Sequence, residues 1–300
     1  MKKFLKIFVS LLAGLAAVVV LVAGMIYWQS SDRLARKYTV QVKPAPALPV
    51  DAVALARGRH LAETRGCVEC HGADYGGAKV VDDPGMGLLC GPNLTRGQGG
   101  LPSDYNDTDW ERAIRHGVAR DGRGLFLMPS ADYARFTARD MSDLIAHLKS
   151  VPPVNRARVP LSVGPVARAL LLAGKIKLAA DEIDHKTVQA SDVVPGVTVA
   201  YGHYLAASCT GCHGATLAGG KIDIGPPDWP PASNLTPHAS GRLAKWSEAD
   251  FVKTLRTLRR PDGSELNPAM PRVFSNLNDV EVRALWAYLQ TLPALATGTR

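Results

Sequence analysis

Cys67-Val68-Glu69-Cys70-His71-Gly72 occurs twice in this chain of 300 residues: 142 positions on, the sequence reads Cys209-Thr210-Gly211-Cys212-His213-Gly214. Other landmarks keep nearly the same offset. Asn93-Leu94-Thr95 returns as Asn234-Leu235-Thr236, Met128-Pro129 returns as Met270-Pro271, and the run 144–152 is echoed by 285–293. Self-similarity at a fixed period means two copies of one unit, here over 51–153 and 196–300. In each copy a helix-like stretch precedes the first cysteine (52–65; 198–208), a Trp-led amphipathic stretch lies mid-unit (110–118; 246–258), and a third closes it (138–149; 279–290). No alternating strand pattern appears between them, so the expected fold class is all-α with long loops rich in Gly and Pro.

Two cysteines three apart followed directly by histidine form the signature of covalent c-type haem attachment. One short turn presents two thiols to the porphyrin vinyl groups while the next side chain reaches the iron. Zinc requires four ligands at a structural site, and each copy offers Cys, Cys and His without an evident fourth. A redox dithiol of the thioredoxin kind requires a βαβ setting, which is missing. Two motifs predict two covalently attached haem c groups.

The chain resembles a tandem pair of class I cytochrome c domains over about 200 of its residues. The resemblance makes Cys67, Cys70, Cys209 and Cys212 the haem thioethers, His71 and His213 the proximal iron ligands, and Met128 and Met270 the distal ligands. Each methionine stands 57 residues after its histidine. Met86, Met141 and His116 are competing candidates in the first copy; the second has no other methionine. Pro92, in Gly91-Pro92-Asn93-Leu94, resembles the proline whose carbonyl accepts a hydrogen bond from the proximal histidine. The second copy departs here, reading Ala232-Ser233-Asn234-Leu235, so Ser233 or a neighbouring carbonyl must serve. Trp110 and Trp246 resemble the tryptophan whose indole N–H meets a haem propionate, with a core tryptophan satisfied by backbone as the alternative. Cys90, left over after four thioethers, reads as a small buried side chain.

Apolar residues make up 46% and charged residues 21%, with mean hydropathy of −0.01, a balance that excludes a disordered chain. The formal charge of +8 suggests a nucleic-acid partner until it is located. The first 50 residues carry seven basic groups against one acidic, leaving the rest near neutral and without a phosphate-binding face. That excess flanks an uncharged run over 7–28. Its 22 residues reach about 33 Å at about 1.5 Å each, enough to cross a bilayer core of about 30 Å. The run is too long for the apolar core of a cleaved signal and ends in Tyr27-Trp28, an interfacial pair. Residues 1–30 therefore read as a membrane anchor and 31–50, with Pro44, Pro46 and Pro49, as a semi-rigid spacer. Positive charge on both sides leaves the orientation open. Haem attachment of this type occurs outside the cytoplasmic membrane, which implies a single-pass protein of the inner membrane with haem domains in the periplasm.

Residues 154–195 form an inter-domain linker whose apolar stretch 166–178 reads as a packed helix fixing one domain against the other, or as a helix lying on the membrane. Function then reads as electron relay in a respiratory or dehydrogenase chain, with redox partner proteins and a membrane but no nucleic acid. The chain also looks similar to the cytochrome subunits of membrane-bound alcohol and gluconate dehydrogenases, which carry three haems. Neither a catalytic carboxylate pair nor a nucleophile with its base accompanies the motifs. A dihaem peroxidase would need an open iron position, and two Met-Pro motifs argue against one.

Overall fold

The computed structural model describes residues 2–43, 48–186, 192–222 and 228–299. Pro44 and Pro46 of the expected spacer and 187–191 of the linker lie outside the described residues. Helix α1 (Lys2–Ala35) is the one helix among the described residues long and apolar enough to cross a membrane, by length and composition. It does not stop at residue 30. No helix breaker precedes Pro44, and the amphiphilic run after Trp28 continues the helix to Ala35, where it meets the body of the protein. Arg168 bonds Ser30 Oγ and Ser31 Oγ, both at 2.9 Å, and lies 4.3 Å from the centre of the Tyr27 ring. Arg33 reaches the Leu171 carbonyl at 3.0 Å. Tyr38 donates its amide to Gly122 O and its hydroxyl to Asp181, both at 2.8 Å. Residues 31–38, read in the sequence as the start of the spacer, thus clasp the body.

The first unit comprises α2 (Ala52–Thr64), α3 (Cys67–His71), β1 (Ala78–Asp83), β2 (Gly87–Gly91), α4 (Asp107–His116), α5 (Ser130–Tyr133) and α6 (Ala138–Ser150). The linker adds β3 (Ser162–Val163) and α7 (Pro165–Leu172). The second unit holds α8 (Val199–Ala206), α9 (Thr210–His213), α10 (Glu248–Thr257) and α11 (Asp279–Leu289), with short 3₁₀ turns between them. Capping accounts for the helix starts: Asn106, Ser247 and Asn278 each accept from the third amide of the helix while its acidic side chain reaches back, a capping box.

The fold is mostly helical rather than all-α. Strands β1, β2 and β3 form an antiparallel sheet, Ala78 opposite Gly91, Asp83 opposite Gly87, and Leu88 opposite Ser162. The strands escape a periodicity search because β1 is largely exposed on both faces and β3 has two residues. What makes the hairpin is its turn, where Asp83 Oδ1 accepts from the Gly85 and Met86 amides at 2.9 and 2.7 Å. Cys90 lies on β2 half-buried, so it is not the enclosed side chain the sequence suggests. The linker helix is also shorter than 166–178. It ends at Leu172 and packs Ala167 and Leu171 at the base of α1 instead of bridging the two haem units.

Each core is built on a crossing of the unit's first and last helices, α2 on α6 and α8 on α11. A glycine sits at each crossing. A Cβ on Gly58 would lie 2.0 Å from Asp143 O, and one on Gly202 would lie 2.0 Å from Ala284 O. Only backbone fits there. Gly58→Ala and Gly202→Ala should each destabilise the protein by about 1–3 kcal/mol through overpacking, and thermal unfolding of the haem-loaded protein checks this.

The units meet along α2. His60 Nε2 lies 2.7 Å from Glu281 Oε2, the Tyr204 hydroxyl donates to Asp140 Oδ2 at 2.5 Å, and Tyr204 packs against both cores. The hydrogen bond that His60 donates to Glu281 raises His60 above its usual 6.5. Burial pushes Glu281 up, but His60 and the Asn278 amide outweigh it and hold the carboxyl below 4.5. A raised histidine stabilises fully below pH 6.5 and loses that contribution as pH rises through its folded value; a lowered carboxyl does the reverse from 4.5 downward. The melting-temperature gap between the native protein and His60→Ala should therefore be widest between pH 4.5 and 6.5 and narrow on either side.

Candidate haem sites

In the second unit, helices α8, α10 and α11 and the loops between them enclose about 1500 Å³ of empty space, its mouth included. The 3₁₀ turn Ala207–Cys209 and the single turn α9 bring Cys209, Cys212 and His213 to the cavity, which Trp246 and Met270 also line. His213 Nδ1 meets Ser233 O at 2.7 Å. A carbonyl only accepts, so Nδ1 carries the proton and the lone pair is on Nε2, the tautomer a metal ligand requires. Loss of proline from this loop does not remove the contact, because the acceptor is backbone.

The first unit repeats the histidine contact. His71 Nδ1 donates to Pro92 O at 2.9 Å, and Cys67 and Met128 pack against the first core. Trp110 is 3% exposed, stands edge-on to Tyr105 at 5.3 Å, and its indole Nε1 has no partner among the described residues. A buried unpaired donor is costly, which removes the alternative of a tryptophan satisfied by backbone. Of the competitors to Met128, Met141 is fully buried in the core on α6, His116 Nδ1 is 3.0 Å from His185 Nδ1, and Met86 sits in the β-hairpin turn. None of the five cysteines is disulfide-bonded.

Two repeated fastenings hold these loops. Asn93 Oδ1 takes both the Thr95 amide and hydroxyl, at 2.9 and 2.8 Å, while its Nδ2 donates to Val154 O at 2.8 Å. Asn234 does the same with Thr236 and with Leu295 O, all at 2.8 Å. The Asn-Leu-Thr motif thus pins the loop beside the histidine to the chain leaving the last helix. Likewise Arg115 bonds the carbonyls of Ala134 and Phe136, and Arg256 those of Ser275 and Leu277, bracing the segment just after each methionine. The shared offset of Arg115 and Arg256 was the available signal.

Thiols beside a properly tautomerised histidine, with a methionine in the same cavity of the second unit and an unpartnered indole donor at Trp110 of the first, fit a haem in each unit. The family model described as Cytochrome c matches residues 55–152 and 199–293. The chain belongs to the cytochrome c family. It is 27% identical to a "Diheme cytochrome c-type" protein of Cereibacter sphaeroides, an alignment covering 95% of this chain and 99% of that one. It is 28% identical to the fructose dehydrogenase cytochrome subunit of Gluconobacter japonicus, with 86% of this chain and 57% of the relative covered. With the gluconate 2-dehydrogenase cytochrome c subunit of Pantoea cypripedii the figures are 29%, 79% and 59%. The chain therefore spans less than three fifths of those two dehydrogenase subunits. This cytochrome c carries two covalently bound haem c groups. Replacing Cys70 or Cys212 by alanine should remove one attached haem each, read as haem mass and as pigment remaining on the polypeptide after acid-acetone extraction.

Proposed function

We propose that this chain is a membrane-anchored dihaem cytochrome that takes electrons from a respiratory or dehydrogenase donor and passes them through both haems to an acceptor. In this reading Cys67, Cys70, Cys209 and Cys212 hold the haems, His71 and Met128 ligate one iron, and His213 and Met270 the other. Bound haem supplies the electron uptake and release. The chain's own residues do the rest: Pro92 O and Ser233 O orient the imidazoles and raise their basicity, Trp110 and Trp246 offer indole donors to propionates, and the apolar walls exclude water. Helix α1 crosses the inner membrane with its N-terminus in the cytoplasm, leaving both haem units in the periplasm. The observation that carries the proposal is the duplicated histidine–carbonyl pair, with Met270 in the same cavity as His213 and its counterpart Met128 against the first core. Such a pair closes each iron to other ligands and suits transfer of electrons rather than turnover of a substrate.

A second reading, favoured by the dehydrogenase subunits among the relatives, makes the chain the electron-transfer subunit of a periplasmic dehydrogenase complex. The full-length match to a dihaem protein supports the first. Stable copurification of a catalytic subunit from the native membrane decides for the second, and isolation as a lone dihaem protein for the first.

Met128→His and Met270→His should each lower the reduction potential of one haem, since methionine paired with histidine raises it, and leave the other nearly unmoved. Potentiometric titration followed in the visible spectrum checks both. Peroxide should be consumed no faster than by an ordinary monohaem cytochrome c; rapid turnover with one haem becoming high-spin would overturn the relay reading.

A further inference from the structure

We propose that Arg65, a residue of the first unit, raises the reduction potential of the second unit's haem and thereby directs electrons from the first haem to the second. The proposal rests on the relay reading above. Arg65 is the C-cap of α2: its amide donates to Leu61 O at 2.8 Å, and its carbonyl accepts the buried Tyr133 hydroxyl at 2.8 Å. Left-handed Gly66 then swings the chain into Cys67, which packs against the first core. The side chain of Arg65 goes the other way. It lines the cavity of the second unit together with Cys209, Cys212, His213 and Met270.

There it is 7% exposed, and its Nε has no partner among the described residues. Three carboxylates, Asp132, Asp140 and Glu281, lie within electrostatic reach of Arg65, but none forms an ion pair with it among the described residues: Asp140 accepts from Tyr204, and Glu281 from His60 and the Asn278 amide. The cavity's two other cations differ. Arg242 is exposed, and Arg260 bonds the Ser264 hydroxyl at 3.0 Å and the Glu265 carbonyl at 2.6 Å. Arg65 alone is a buried cation from a neighbouring unit aimed into the pocket. A guanidinium stays charged at any accessible pH, and at low local dielectric a fixed positive charge acts strongly on charge that appears beside it. Oxidation adds positive charge at the iron, so Arg65 disfavours the oxidised form and raises the potential of that haem. The repeat is asymmetric here. The counterpart of Arg65 at the 142-residue offset is Ala207, which brings no charge to the first haem.

The contacts of α2 with Glu281 and with the turn after Met270 hold this geometry between the units. The side chain therefore acts on a haem to which it does not belong by sequence.

The test is a spectroelectrochemical titration of the full-length, haem-loaded protein carrying Arg65→Gln, Arg65→Met or Arg65→Lys, with the haems told apart in a Met128→His background. Covalent haem is counted first: fewer than two haems in the unsubstituted protein would sink the relay reading itself. With two haems present, Arg65→Gln and Arg65→Met should shift the electron-sharing equilibrium toward the first haem by about tenfold, about 59 mV for one electron. Arg65→Lys, which keeps the charge, should restore most of that difference. Met retains the stem that packs against the cavity wall, so a loss of packing alone leaves the equilibrium unmoved in that variant. Equal shifts of both haems, a rise in the second, or a lysine variant as low as the glutamine one would overturn the proposal. So would failure of both uncharged variants to hold the second haem, because Arg65 would then be a structural residue.

Discussion

The crossing of the first and last helix in each unit is the constraint on which everything else depends. With Gly58 against Asp143 O and Gly202 against Ala284 O, the backbones approach to a distance no side chain permits. That approach fixes where the chain leaves each first helix, a few residues before the paired cysteines, and where it leaves the last, at Val154 or Leu295. Asn93 and Asn234 then tie the loop beside the histidine to that exit. A short turn carrying three reactive side chains has almost no cohesion of its own, and its geometry is borrowed from the helices and from these side-chain clasps. The same economy appears at Arg115 and Arg256, which bond carbonyls just beyond each methionine.

Duplication did not produce two independent copies. The units share Tyr204, which packs into both cores, and α2 of the first unit lies against the turn following Met270 of the second. A pair docked through polar contacts such as His60–Glu281 holds its two units at one separation. The membrane helix is joined to the first unit in a similar way, through Arg168, Arg33 and Tyr38. The long apolar helix and the first unit are therefore parts of one structure.

Much of the site could be read before any coordinates. Cys67, Cys70 and His71, the methionine 57 residues on, and the repetition of all of them are local patterns, and chemistry demands them in that form. The β-hairpin could not be read, because a strand exposed on both faces has no hydrophobic period and its turn depends on a single aspartate. Cys90 was judged by residue type, and its strand position leaves it half-exposed. The linker helix was read from its apolar content alone, which says that it packs but not against what.

Sequence by itself determined the number of haem units and the presence of a long apolar helix, since each is carried by residues near one another in the chain. Tertiary structure alone decided that the serine carbonyl replaces the proline one, that Trp110 holds an unpaired donor, and that Arg65 leaves its own unit for the neighbouring pocket. The reason is physical: burial and hydrogen-bond partnership belong to the space around a side chain, and that space is made by segments as far as 221 residues away.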